Sequence, residues 1–245
     1  MKMQTIRHLL TLVLCSAGLS CCEGDVEGEG EVTVTLYGED FIEVGISPAE
    51  MADGWSVTFD RFQVTVDEVR VGGVELPAAA PTDISAETGG AGHIITSAVV
   101  PAGEHSGSSF TITQVALSGS ASRDGVVKTF DWRFEERTRY SACETVTVVR
   151  DGGAAIFQIT VHADHFFYDS LVAAEPQVRF QALADADLDG DGAISRAELE
   201  STDIGAYDAG SDGAAEQLWA WLVAQSRTLG HVDGEGHCDA QADLN

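Results

Sequence analysis

From Glu31 to about Asp169 apolar residues recur at every second position, the period of a strand with one buried face. In EVTVTLY (Glu31 to Tyr37), Val32, Val34 and Leu36 share a side. WSVTFDRFQVTVDEVRV (Trp55 to Val71) runs through Val57 and Phe59, then Phe62, Val64 and Val66, then Val69 and Val71. That change of phase predicts a bulge or bend near Asp60 and Arg61. Further strands are predicted over His93 to Val100, Ser109 to Leu117, Val126 to Glu135, Cys143 to Arg150 and Ala155 to His162. Clusters of Gly, Asp and Pro separate them, and roughly seven or eight short strands so spaced predict an antiparallel β-sandwich.

After about Val172 the pattern becomes helical. Pro176 suits a first helical turn. Val178, Phe180, Leu183 and Ala184 give that helix an apolar side. A short helix is predicted to end near Ile204. A stronger one runs from Gly213 to Leu229, capped by Asp212 and stopped by Gly230, with Ala215, Leu218, Trp219 and Leu222 at helical spacing. The expected fold class is α+β: a β-sandwich over 31–170, then a small helical module over 171–245 with a His-rich tail.

Between the first two helices lies DLDGDGAISRAE, Asp187 to Glu198. Asp187, Asp189 and Asp191 stand at the first, third and fifth positions of a calcium loop, and Gly192 at the sixth, where the chain turns sharply. Ala193 would offer its backbone carbonyl, Ile194 an apolar anchor and Ser195 a direct or water-bridged oxygen. Glu198 would bind with both carboxylate oxygens. Calcium is a hard cation that takes roughly six to eight oxygens, which such an alternation supplies. The stretch resembles the EF-hand superfamily over about 176–204, with one hand and no partner. Asp208 and Asp212 do not begin a second loop, because Gly210 and Trp219 stand where ligands are needed. The resemblance implies calcium binding with a mainly structural role. It also requires Ile194 to lean on another surface, and the 213–229 helix and the sheet edge ending at His162 are the candidates.

The start of the chain reads as a targeting segment, with Lys2 and Arg7 before an apolar run that begins at Leu9. Leu19-Ser20-Cys21-Cys22 resembles a bacterial lipoprotein signal over 1–21. Cys22 is then the lipidated residue, or Cys21 if cleavage falls one position earlier. Ordinary secretion is the alternative. An acidic, Gly-rich tether over 22–30 follows. Cleavage before Cys22 leaves Cys143 and Cys238, either bridged, as an exported compartment permits, or as free thiols. The strand-rich half resembles a family of uncharacterised bacterial lipoprotein sandwich domains, on WSVTFDRFQVTVDEVRV and VPAGEHSGSSFTI (Val100 to Ile112). This implies fold and export only. The expected location is the outer membrane or cell surface through a lipid anchor, or else periplasmic or secreted.

The chain carries 13 basic and 40 acidic residues, a formal charge of −27. Such a surface repels nucleic acid, which excludes that partner class, and attracts cations. Two histidine clusters qualify the picture. His162 and His165 follow a predicted strand, and His231 and His237 stand in the tail. Imidazoles from two short segments are a ligand set for zinc or copper. They also serve as loop caps and junction packing, and their spacing is no family signature. No nucleophile-elbow, phosphate-loop, dinucleotide or zinc-protease motif occurs, so nothing marks an enzyme. A carbohydrate-binding or carbohydrate-active surface protein is a third reading, with Trp55, Asp131 and Trp132 lining a groove, although these residues suit the sandwich core better.

Overall fold

The computed structural model describes residues 28–211 and 215–242. The expected signal peptide, Cys21, Cys22, most of the tether and the Asp212–Gly213 helix start lie outside them. The chain runs through β1 (Glu29–Tyr37), α1 (Glu39–Glu43), β2 (Ser56–Val71), β3 (Val74–Glu75), β4 (Thr82–Asp83) and β5 (His93–Pro101). It continues with β6 (Gly103–Ser106), β7 (Ser109–Arg123), β8 (Val126–Phe134), β9 (Thr138–Ser141), β10 (Val146–Val149) and β11 (Ala154–Val161). A 3₁₀ turn over Ala163–Phe167 leads to α2 (Gln181–Ala184), β12 (Ala193–Ile194), α3 (Arg196–Glu200), α4 (Leu218–Gln225), β13 (Gly230–Val232) and β14 (Asp239–Ala242).

The protein is β-rich, with 47% strand against 13% helix, so the helical part is smaller than the sequence pattern suggests. One sheet has the order β13-β11-β1-β5, and a larger one is built on β12-β8-β7-β2-β3. Both sheets are mixed rather than antiparallel. β1 runs parallel to β11, from Glu31 opposite Ala154 to Tyr37 opposite Thr160, and β12 runs parallel to β8. Alternation specifies which face is buried, not which way a neighbour runs. The bend in β2 is a bulge: its ladder with β7 shifts between Phe59 and Arg61.

Tertiary pairing explains the shortened helices. Val178 bridges to Tyr168 and the Arg179 N–H donates to the Phe167 carbonyl, so the chain stays extended until Phe180. The N-terminus of α2 has no local side-chain cap. Asp53 takes that role from a distance, its Oδ2 accepting from the Phe180 and Gln181 N–H groups at 2.7 Å each. α3 stops at Glu200 because Asp203 then bridges to Gln217. α4 spans Leu218–Gln225, shorter than the predicted 213–229.

One hydrophobic core joins the strands to the C-terminal segments. Phe180 packs against Trp55, Phe130 and Phe167, with ring centroids 5.3, 6.2 and 5.7 Å away. Trp219 stacks on Phe134 at 4.8 Å. Trp55 and Trp132 are each only 2% exposed and offer no stacking face to a sugar. Cys143 and Cys238 are bridged (S–S 2.08 Å) across a sequence separation of 95. Closing a loop of that length contributes about 4–5 kcal/mol in the chain-entropy picture. It holds β14 against β9, below the histidine tail.

Candidate metal centres

The acidic loop is docked on an edge of the larger sheet. Ala193 and Ile194 pair with Thr129 and Phe130 of β8, and the Trp132 indole N–H donates to the Ile194 carbonyl at 2.9 Å. Ile194 is 1% exposed, a burial that contributes about 2–3 kcal/mol. The sequence pointed to a sheet edge at His162; the edge used is β8, which lies next in sheet order once β7 and β8 form a hairpin. The other candidate surface, α4, packs on α3 just beyond the loop.

Within the loop, Asp187, Asp189 and Glu198 bring carboxylate oxygens within 4.8 Å of one another. Gly192 holds φ +89°, a left-handed conformation that favours glycine. Asp187 accepts backbone N–H bonds from Gly190 and Gly192, both at 3.0 Å. Glu198 Oε1 accepts from the Leu188 N–H at 2.9 Å, and Oε2 from the Ser195 N–H at 2.9 Å and hydroxyl at 2.7 Å. These bonds orient the carboxylates: Asp187 Oδ1 and Asp189 Oδ1 each accept one bond and keep a lone pair for a cation, whereas both lone pairs of Glu198 Oε2 are engaged by Ser195, so an ion there would displace the Ser195 hydroxyl. Asp191 lies outside the tight group and accepts from the Ala193 N–H at 2.7 Å. Lys128 of β8 pairs with Asp187. That bond, ahead of the loop's backbone donors, holds the Asp187 carboxyl below its usual range. The Ser195 bonds do the same for Glu198. Lys128 had no signal in the sequence, because only docking brings it to the loop.

The second centre is built of histidine. Strand period and pairing register place it. Thr160 of β11 faces His231 of β13, and His162, two residues beyond Thr160, shares that face and becomes the diagonal neighbour of His231. The 3₁₀ turn that follows has three residues per turn, which returns His165 over His162. The rings of His162 and His231 lie 4.1 Å apart between centroids, those of His162 and His165 5.5 Å, and those of His165 and His231 5.2 Å. One ligand nitrogen from each of the three falls within 4.8 Å of the others. The two sequence clusters therefore meet. His237 lies one ring further out, exposed and 5.2 Å from His231.

Gly230 makes the approach of β13 feasible: a Cβ there would stand 2.7 Å from the Tyr140 ring. The outer contacts settle two tautomers. The Thr228 hydroxyl donates to the Gln225 carbonyl at 2.9 Å, so its oxygen accepts from His165 Nδ1–H at 2.9 Å and Nε2 keeps the lone pair. His162 Nε2 donates to the Gly234 carbonyl at 3.2 Å, with Glu39 Oε1 alongside at 3.6 Å, which leaves the lone pair on Nδ1. His231 Nδ1 is buried without a hydrogen bond of ordinary geometry, as is Asp164 Oδ1. Burial, then the neighbouring His162, pushes His165 down to about 4 and His231 down to about 3. Both rings are thus neutral near pH 7, the form that binds metals. Desolvation raises the Glu39 carboxyl, against the pull of His162.

These groups line a cavity of about 560 Å³ together with Glu39, Asp164, Tyr168 and Glu235. Glu39 and Thr228 were invisible to motif reading. Glu39 stands far from any histidine in sequence and arrives only through the parallel pairing of β1 with β11, while Thr228, three residues before His231, is not a metal-ligand residue type and so gave no signal. Compared with protein families, curated proteins and solved structures, the chain matches none.

Proposed function

We propose that this is a calcium-binding protein, with an EF-hand-type loop over Asp187–Glu198 taking one ion in a mainly structural role beside a β-sandwich. The observation that carries the reading is the convergence of Asp187, Asp189 and Glu198 within 4.8 Å. It occurs in a stretch whose residues also satisfy the turn, anchor and closing positions of such a loop. Docking on β8 supplies the support that a second hand would normally give. An ion here would fasten the edge of the larger sheet to α3 and, through it, to α4. Lys128 competes for Asp187, so affinity belongs at the weak, extracellular end, with a dissociation constant on the order of 10⁻⁵ to 10⁻³ M.

Calorimetric calcium titration of Glu198→Ala against the parent tests this. The variant is expected to lose measurable binding; equal affinities would rule out the loop. The proposal includes export with a lipid on Cys22, supported by the Leu19-Ser20-Cys21-Cys22 signal, the acidic tether and the Cys143–Cys238 bridge. Cys22→Ser should move the protein from the membrane to the soluble exported fraction, and unchanged partitioning would sink that assignment.

A further inference from the structure

We propose a second, chemically distinct metal site: His162, His165 and His231 hold one borderline divalent transition ion of the zinc class, with the cavity side open to solvent. The three rings come from the end of β11, the 3₁₀ turn and β13, and one nitrogen of each lies within 4.8 Å of the others. Buried polar rings packed only for structure would be satisfied by backbone groups. Here His231 Nδ1 is sealed from water with no hydrogen bond of ordinary geometry, although the ring lies beside the Thr228 backbone.

Two rings have the outer support that metal-binding imidazoles need. Thr228 fixes His165 through Nδ1, and the Gly234 carbonyl fixes His162 through Nε2, with Glu39 beside it. Glu39 and Glu235 approach His162 from the cavity and add negative charge that a dication favours.

Nitrogen donors separate this centre from the acidic loop. Neutral imidazole suits zinc and copper, whereas calcium takes oxygen. Three protein ligands plus an open position is the arrangement of zinc sites that bind a water or an exogenous ligand. His237 is not needed for the set.

The test uses the full chain without a polyhistidine tag and with calcium saturating, titrated with Zn²⁺ and, for spectroscopy, Co²⁺. One Zn²⁺ per chain is expected, with an intense visible Co²⁺ absorption of a four-coordinate centre. His231→Ala and His165→Ala should each abolish both signals. Thr228→Val, which removes the hydroxyl that accepts from His165 and donates to the Gln225 carbonyl, should weaken binding about 10- to 100-fold while the chain stays folded. His237→Ala and the remote His93→Ala should change affinity by less than about threefold. Far-UV circular dichroism shows whether each variant is folded. The Co²⁺ spectrum of the unmodified chain needs no variant, so a weak six-coordinate spectrum, or none, overturns the proposal. So does Zn²⁺ binding that folded His231→Ala retains. Because calcium is already saturating, failure here leaves the reading of the acidic loop untouched.

Discussion

Replacing Trp132 by phenylalanine isolates the hydrogen bond that fastens the acidic loop to the sheet. The indole N–H donates to the Ile194 carbonyl at 2.9 Å in a buried setting. Phenylalanine keeps a ring available to stack on Phe130, now 4.7 Å away, but has no donor. The carbonyl also belongs to the β12–β8 ladder, so it loses one of its donors rather than all of them, at about 0.5–1.5 kcal/mol. Losing one ring of a packed indole adds about 1 kcal/mol, a fraction of the whole-side-chain cost. The calcium-free protein should therefore lose about 1.5–2.5 kcal/mol, read in urea as a lower midpoint at unchanged slope. Trp221→Phe is the control, since Trp221 is fully buried and its Nε1 has no partner. It removes the same ring and no hydrogen bond. Calcium affinity should fall as well in Trp132→Phe, because the ion must then order a loop that the sheet no longer holds. Each ~1.4 kcal/mol of ordering passed to the ion weakens binding tenfold. If Trp132→Phe loses no more stability than Trp221→Phe, and binds calcium as the parent does, the clamp argument is wrong.

Two further outcomes follow from the same geometry. Lys128→Met removes the ammonium that pairs with Asp187 and repels a dication. Calcium affinity should rise by about tenfold at low ionic strength, and the gain should shrink with added salt; calorimetry at two salt concentrations checks both. The second outcome concerns acid. His165 and His231 titrate in the fold at about 4 and about 3, below the unfolded value of about 6.5, so between these limits the unfolded chain binds more protons. Metal-free stability is thus full above pH ~6.5 and is lost as pH falls toward 4, by on the order of a few kcal/mol for the coupled pair. Urea midpoints across this range should drop, and drop less in His231→Gln; a flat profile from pH 7 to 5 would contradict the burial of these rings.

The sequence by itself determined what neighbouring residues can do together. Alternating valines and phenylalanines specify which side of each strand is buried, because the strand period is two. Asp187, Asp189, Gly192 and Glu198 lie so close along the chain that one turn brings them together, and their chemistry is legible before any fold is known. The same holds for His162 and His165, one 3₁₀ turn apart. The tertiary structure decided everything that depends on which strand lies beside which. Alternation carries no information on neighbour or direction, so the parallel pairing of β1 with β11, the return of β13 to β11 and the docking of β12 on β8 were not readable. Those pairings bring His231 and Glu39 to His162, and Lys128 to Asp187. Helix lengths followed the same rule: Asp203 and Val178 had better partners across the fold than along a helix. Local spacing therefore placed the loop carboxylates together and His162 beside His165, and the register of distant strands decided that His231 joins that pair while the acidic loop stands apart on another sheet edge.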